Sequence, residues 1–217
     1  MGMGTVTTGS TGSAPAARPP MPREPDFLAP IDLDAHLALL PSGAACKGLF
    51  LADLMRLVPR NRTVAEVHHL AGVPERRYIA FRDYPMAENM RLTIAMARSA
   101  FPGLPLGQAM RRLGQAAFDT VMGCHIGKTL FGVLGKDLER LLLHWPKSYE
   151  LFFGFGHITM QRSGPGIYAM HARQFPVFLE TYQVGVLEGA LRHCGATGRV
   201  RIAMTSLAEA VLEVDLV

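Results

Sequence analysis

The chain has 217 residues, of which 49% are hydrophobic and 18% charged, with a formal net charge of +4. That length fits one domain plus a tail, and a charge excess this small does not point to a nucleic-acid partner. No stretch approaches the ~20 apolar residues needed to span a bilayer, and the N-terminus carries neither a basic start followed by an apolar run nor a myristoylation signal, since Val6 stands where Ser or Thr is needed.

Residues 1–25 are rich in Gly, Ser, Thr, Ala and Pro and nearly lack bulky apolar side chains. Ordering them would recover too little burial to offset the lost conformational entropy, so they read as a disordered tail ahead of a single domain over 26–217. The spacing of Phe50, Leu54, Leu57 and Val58 predicts a helix over 48–58. After Pro85, Met86, Met90, Ile94, Ala97 and Phe101 recur at steps of four and three, as on an amphipathic helix. Pro105 opens another, with Leu106, Ala109, Met110, Leu113 and Ala117 on its apolar face. That helix is expected to run towards Leu134, weakened by glycines at 114, 123, 127 and 132, which implies tight backbone contact or a break near Gly123.

Beyond Trp145-Pro146 the period changes to two, and residues on either side of the turn at 163–166 read as a hairpin. A long helix is expected from Phe175 to His193, closed by Gly195. The last two segments alternate cleanly, Val200, Ile202 and Met204 against Arg199 and Arg201, then Leu212, Val214 and Leu216 against Glu213 and Asp215, as half-buried antiparallel strands do.

Several segments together carry a resemblance: RRYIAFRDYPMAENMRL from Arg76, PLGQAMRRLGQAAFDT from Pro105, GCHIGKTLFGVLGKD from Gly123 and YQVGVLEGAL from Tyr182. Over roughly Lys47 to Val217 they resemble a paralogous family of uncharacterised proteins found in myxobacteria. The pairing of GCHIGKTLFGVLG with YQVGVLEGALRHCG is similar, more remotely, to TRAPP trafficking subunits and vinyl-4-reductase ligand-sensing domains. This resemblance implies an α+β fold with helices packed on an antiparallel sheet, dimerisation through helices and, in some relatives, an apolar pocket. It supplies no catalytic residue.

The run from Gly123 to Thr129 looks like a phosphate-binding loop, but it has one residue too few before Gly-Lys-Thr and follows a helix rather than a strand. Cys124 and His125 are adjacent, with His157, His171, His193 and Cys194 downstream, which makes haem or zinc ligation through Cys124 and His125 the alternative to no cofactor at all. No C-x-x-C or H-E-x-x-H pairing supports a metal. His193 and Cys194 splay ~100° apart on a helix and do not form a nucleophile and base. The cysteines, odd in number and dispersed, suit reduced thiols in the cytoplasm.

Arg76, Arg77 and Arg82 interleave with Tyr78, Phe81 and Tyr84, yet Glu75, Asp83 and Glu88 dilute them, so nucleic acid is not expected. Gly127, Gly185 and Gly189 are read as close-packing positions or a dimer seam. The twelve methionines suit an irregular core or an adaptable pocket. With no catalytic motif, the expectation is a non-enzymatic cytoplasmic module in signalling or scaffolding, binding an apolar ligand or a protein partner and forming a homodimer. The alternative is a haem- or metal-dependent sensor or enzyme using Cys124 and His125.

Overall fold

The protein is described here by a computed structural model, over residues 20–123, 128 and 135–217. Its C-terminal half is a four-stranded antiparallel sheet in the order β3-β4-β6-β5, from strands β3 (His157–Gly164), β4 (Ile167–Arg173), β5 (Gly198–Ser206) and β6 (Glu209–Leu216). The alternation read from the sequence sets its faces. Met170 pairs with Leu212, Tyr168 with Val214 and Ile202 with Leu212, and all of these are buried. Arg201 and Asp215 stay on the other face, where they pair at 2.9 Å.

Helices cover the apolar face. They are α1 (Leu33–Ala38), α2 (Gly48–Met55), α3 (Val64–Ala71), α4 (Met86–Ala100), α5 (Leu106–Gly123), α6 (Leu138–Phe152) and α7 (Val184–Cys194). A π-turn, Leu179–Gln183, leads into α7. A small ladder of β1 (Ala45–Lys47) with β2 (Asp83–Pro85) ties the start of α2 to the start of α4. The result is an α+β fold, with helices on an antiparallel sheet.

The helices that the spacing predicts at 86 and 106 form as expected, with Met86, Met90, Met96 and Met110 fully buried, so these methionines are core. The helix at 48 ends three residues earlier than the pattern suggests and turns a different side inwards: Leu51 is fully buried while Phe50 is only partly so. Three readings are corrected. First, α6 continues through Pro146, which removes only the hydrogen bond to the Leu142 carbonyl, because Leu141, Leu142, Trp145 and Phe152 bury one continuous stripe. Second, the long helix over 175–193 does not start at Phe175. Phe178 takes φ 49°, which breaks the run, and α-helical winding begins only at Val184. Third, Arg23, assigned to the tail by composition, exchanges backbone hydrogen bonds with Ile202 at 2.8 and 2.9 Å and adds a residue to the β5 edge. The expected extension of α5 towards Leu134 lies outside the described residues.

Close glycine contacts hold α5 against α7. A Cβ on Gly185 would overlap the Arg111 carbonyl, and one on Gly114 would overlap the Tyr182 carbonyl. On Gly189 it would stand 2.8 Å from Phe118 Cβ and 3.0 Å from the Gln115 carbonyl oxygen. Arg111 adds a two-pronged pair to Glu188, 2.7 Å at each contact, and Glu188 also accepts from Gln115 at 2.8 Å. Gly185 and Gly189 therefore pack closely against α5 within one chain. Gly127 lies outside the described residues.

Candidate ligand cavity

Five helices and the π-turn leave a cavity of about 100 Å³ between them. The helical repeat dictates which residues reach it, since positions three and four apart share a face. From α6 these are Trp145, Ser148, Tyr149 and Phe152; from α5, Ala117, Phe118 and Val121. Phe50, Asp53 and Leu54 of α2 and Asn89 and Thr93 of α4 close the opposite side. Val177, Tyr182, Gln183 and Val186 complete it from the π-turn and its flanks.

The walls are aromatic. Phe118 and Trp145 stack with centroids 5.8 Å apart and planes 6° apart, and Tyr149 meets Phe153 and Phe175 at 5.3 and 5.4 Å. Polar groups are few and mostly engaged: the Tyr149 hydroxyl donates to Gln183 Oε1, and the Thr93 hydroxyl donates to the Asn89 carbonyl at 2.8 Å. Burial pushes the Tyr149 phenol pKa up, a shift that the nearby Trp145 indole partly offsets. Burial, with the Asp53 charge second, does the same to Tyr182. Both stay neutral phenols. Asp53 is itself buried, and its Oδ1 meets the exposed Arg56 at 2.9 Å.

The reactive residue types singled out from the sequence do not gather here. Cys124 and His125 lie outside the described residues. His157 and His171 sit on the hairpin, where His171 meets Gln161 at 3.1 Å. His193 rests against Phe118 with ring centroids 5.8 Å apart, and Cys194 next to it is half-buried. Among the described residues there is no group of three or more His, Cys, Asp or Glu side chains placed to hold a metal ion. The interleaved arginines and aromatics form no stacking platform: Tyr78 and Tyr84 are buried edge to face at 4.9 Å, and Arg76 pairs with Glu88 at 3.1 Å.

Cys46 is fully buried, and its thiol is pushed up to about 12, first by burial and then by Asp83 and Glu88. At pH 8 only about one such thiol in ten thousand is ionised, and the thiolate is the reacting species. Alkylation of the native protein by iodoacetamide, mapped by peptide mass spectrometry, should therefore leave Cys46 unmodified until denaturant is added. Modification of Cys46 at the rate of the unfolded chain would show that β1 opens freely.

Residues 40–215 match the family described as "Protein of unknown function (DUF2378)". The chain belongs to that DUF2378 family. No curated protein matches it. Among solved structures it is similar to an H-NOX protein from S. oneidensis in the Fe(II)NO ligation state, at 18% identity and a TM-score of 0.63, over 79% of this chain and 99% of that one. An Fe(II) unliganded H-NOX protein from K. algicida aligns at 11% identity and a TM-score of 0.59, over 79% and 96% of the two chains. A structure titled for heme distortion in the H-NOX family gives 12% identity and 0.59, over 78% and 94%. At these identities the DUF2378 chain shares a fold with H-NOX domains. The structural likeness is thus to H-NOX domains and not to the TRAPP subunits that the sequence suggested.

No helix among the described residues is long and apolar enough to cross a membrane. The residue that sequence reasoning most clearly missed is Tyr149. Its signal was present, as the spacing of Trp145, Ser148, Tyr149 and Phe152 at three, four and seven is helical, but the reading stopped at Pro146.

Proposed function

We propose that this domain is a ligand-sensing module of H-NOX architecture whose ligand occupies the aromatic cavity. The observation that carries this is the cavity's construction. Its walls come from α2, α4, α5, α6, α7 and the π-turn, so a single bound molecule meets six elements at once. A ligand that binds one packing of those elements better than another shifts the population towards it, which is what a sensor needs. The receiver of that shift would be a protein partner or a second copy of the chain, in the cytoplasm. A homodimer would have to form through a face other than the one carrying Gly185 and Gly189.

The similar H-NOX structures are described with Fe(II), NO and heme, and this favours haem over the expectation of no cofactor. The described walls meet haem only in part. They are aromatic, but a cavity of about 100 Å³ would have to open widely to admit a macrocycle; bound there, haem would supply an iron able to take a diatomic ligand. Among the described lining residues, however, none is His, Cys or Met. The phenols of Tyr149 and Tyr182 are held neutral by burial, and a neutral phenol is a poor iron ligand. Cys124 and His125 follow the cavity-lining Val121 by three and four residues in the chain. We propose them as the source of an axial ligand in the haem-binding form of this reading.

Reconstitution with haemin tests that form. That form requires a Soret band at one haem per chain that His125→Ala or Cys124→Ala shifts or removes. A protein that shows no Soret band at stoichiometric haemin removes haem as the ligand and leaves the cavity to a smaller molecule.

A further inference from the structure

Trp145 is the chain's single tryptophan, is 4% exposed and lines the cavity. Its indole nitrogen has no hydrogen-bond partner of good geometry among the described residues. An indole N–H can only donate, so what it lacks is an acceptor. The Tyr149 hydroxyl beside it gives its proton to Gln183, and although the indole lies close enough to offset part of the Tyr149 shift, it makes no hydrogen bond of good geometry to that oxygen. The charge of the walls points the same way. Asp53 is the one charged side chain among the described lining residues, and no Lys, Arg or His joins it. A carboxylate brought into this space would lose its water without gaining a cation.

Size narrows the ligand further. A cavity of about 100 Å³ is somewhat smaller than the roughly 150 Å³ apolar cavity that admits benzene, so one ring fits with slight opening of the walls. We infer that the cavity takes an uncharged, ring-sized apolar molecule carrying one hydrogen-bond acceptor, seated against Trp145 Nε1–H, in preference to carboxylate-bearing ligands such as fatty acids or haem. This rests on the cavity being the ligand site, as proposed above.

Because Trp145 is the only tryptophan, its emission reports the cavity directly. Four probes at pH 7.5 separate the outcomes: toluene, benzonitrile, benzoate and haemin. Benzonitrile should shift the emission saturably and bind about fivefold or more tightly than toluene, the worth of one neutral hydrogen bond. Benzoate should bind at least tenfold more weakly than toluene, and haemin should give no Soret band. In Trp145→Phe, followed by thermal shift, toluene and benzonitrile should bind equally. Ala117→Leu, which fills the space from α5, should abolish the response to both while the protein stays folded.

Equal affinity of the parent for toluene and benzonitrile overturns the assignment of the indole N–H, and preferential binding of benzoate overturns the charge argument. A stoichiometric Soret band overturns the inference while keeping the sensor reading. If none of the four probes binds, the cavity is not a ligand site and both readings fall together.

Discussion

Gly185→Ala is expected to destabilise the protein by about 3 kcal/mol or more, while Gly103→Ala leaves it nearly unchanged. The single methyl group at 185 has nowhere to go, because the atom it meets is the backbone carbonyl of Arg111 rather than the end of a flexible side chain. Relief requires α5 and α7 to separate. That motion is opposed by the reciprocal contact of Gly114 with the Tyr182 carbonyl and by the Arg111 pair with Glu188. Gly103 has no atom within 4 Å of its virtual Cβ, so alanine there tests the chemistry of the substitution without the clash. Urea unfolding of the two variants decides it. Equal midpoints would show that the helices are not in contact at this crossing. Because Phe118 and Val186 reach the cavity from the same two helices, Gly185→Ala should also loosen ligand binding in any variant that still folds.

How much of this fold the sequence discloses depends on how local its causes are. The helices α4 and α5 and the four-stranded sheet follow from periods of 3.6 and 2 that are visible in any short window, and Gly195 at φ 68° closes α7 where expected. Failures occur where distant packing overrides a local rule. Pro146 reads as a helix end, yet the buried stripe around it holds α6 together across the missing hydrogen bond. Phe178 reads as a helical residue, yet it is fully buried at positive φ, a conformation that only its surroundings explain.

The candidate site was less legible than the fold, and for a related reason. Attention to reactive residue types led to Cys124, His125, His193 and Cys194, whereas the walls are built of Phe, Tyr, Trp and Val that look like ordinary core residues in sequence. What distinguishes them is that five helices and the π-turn fail to close completely around one point. No short-range pattern encodes that gap. Trp145 illustrates the difference: its helical spacing to Tyr149 and Phe152 is readable, but the unmet indole N–H exists only once α5 and the π-turn are in place.

The second large effect is expected at His36. It is fully buried on α1, and both ring nitrogens meet acceptors: Nδ1 the Pro176 carbonyl at 3.0 Å, and Nε2 a Glu180 carboxylate oxygen at 3.1 Å. The ring thus bridges the Pro176 carbonyl and the Glu180 carboxyl group. The ring also packs on Phe178, with centroids 4.9 Å apart. His36 thus clamps both sides of the positive-φ residue that starts the π-turn, and that turn delivers Tyr182 and Gln183 to the cavity. His36→Leu keeps much of the packing and removes both ring-nitrogen contacts, leaving the Pro176 carbonyl and the Glu180 carboxyl group without them. A cost of about 3 kcal/mol is expected, with His36→Gln, which retains one donor, falling between it and the parent. Denaturant unfolding gives the stabilities, and Trp145 emission in the folded variants reports the cavity. Release of the clamp should shift that emission in His36→Leu before global unfolding. If His36→Leu matches the parent in both measurements, the π-turn is held by its own packing and His36 has no part in shaping the cavity.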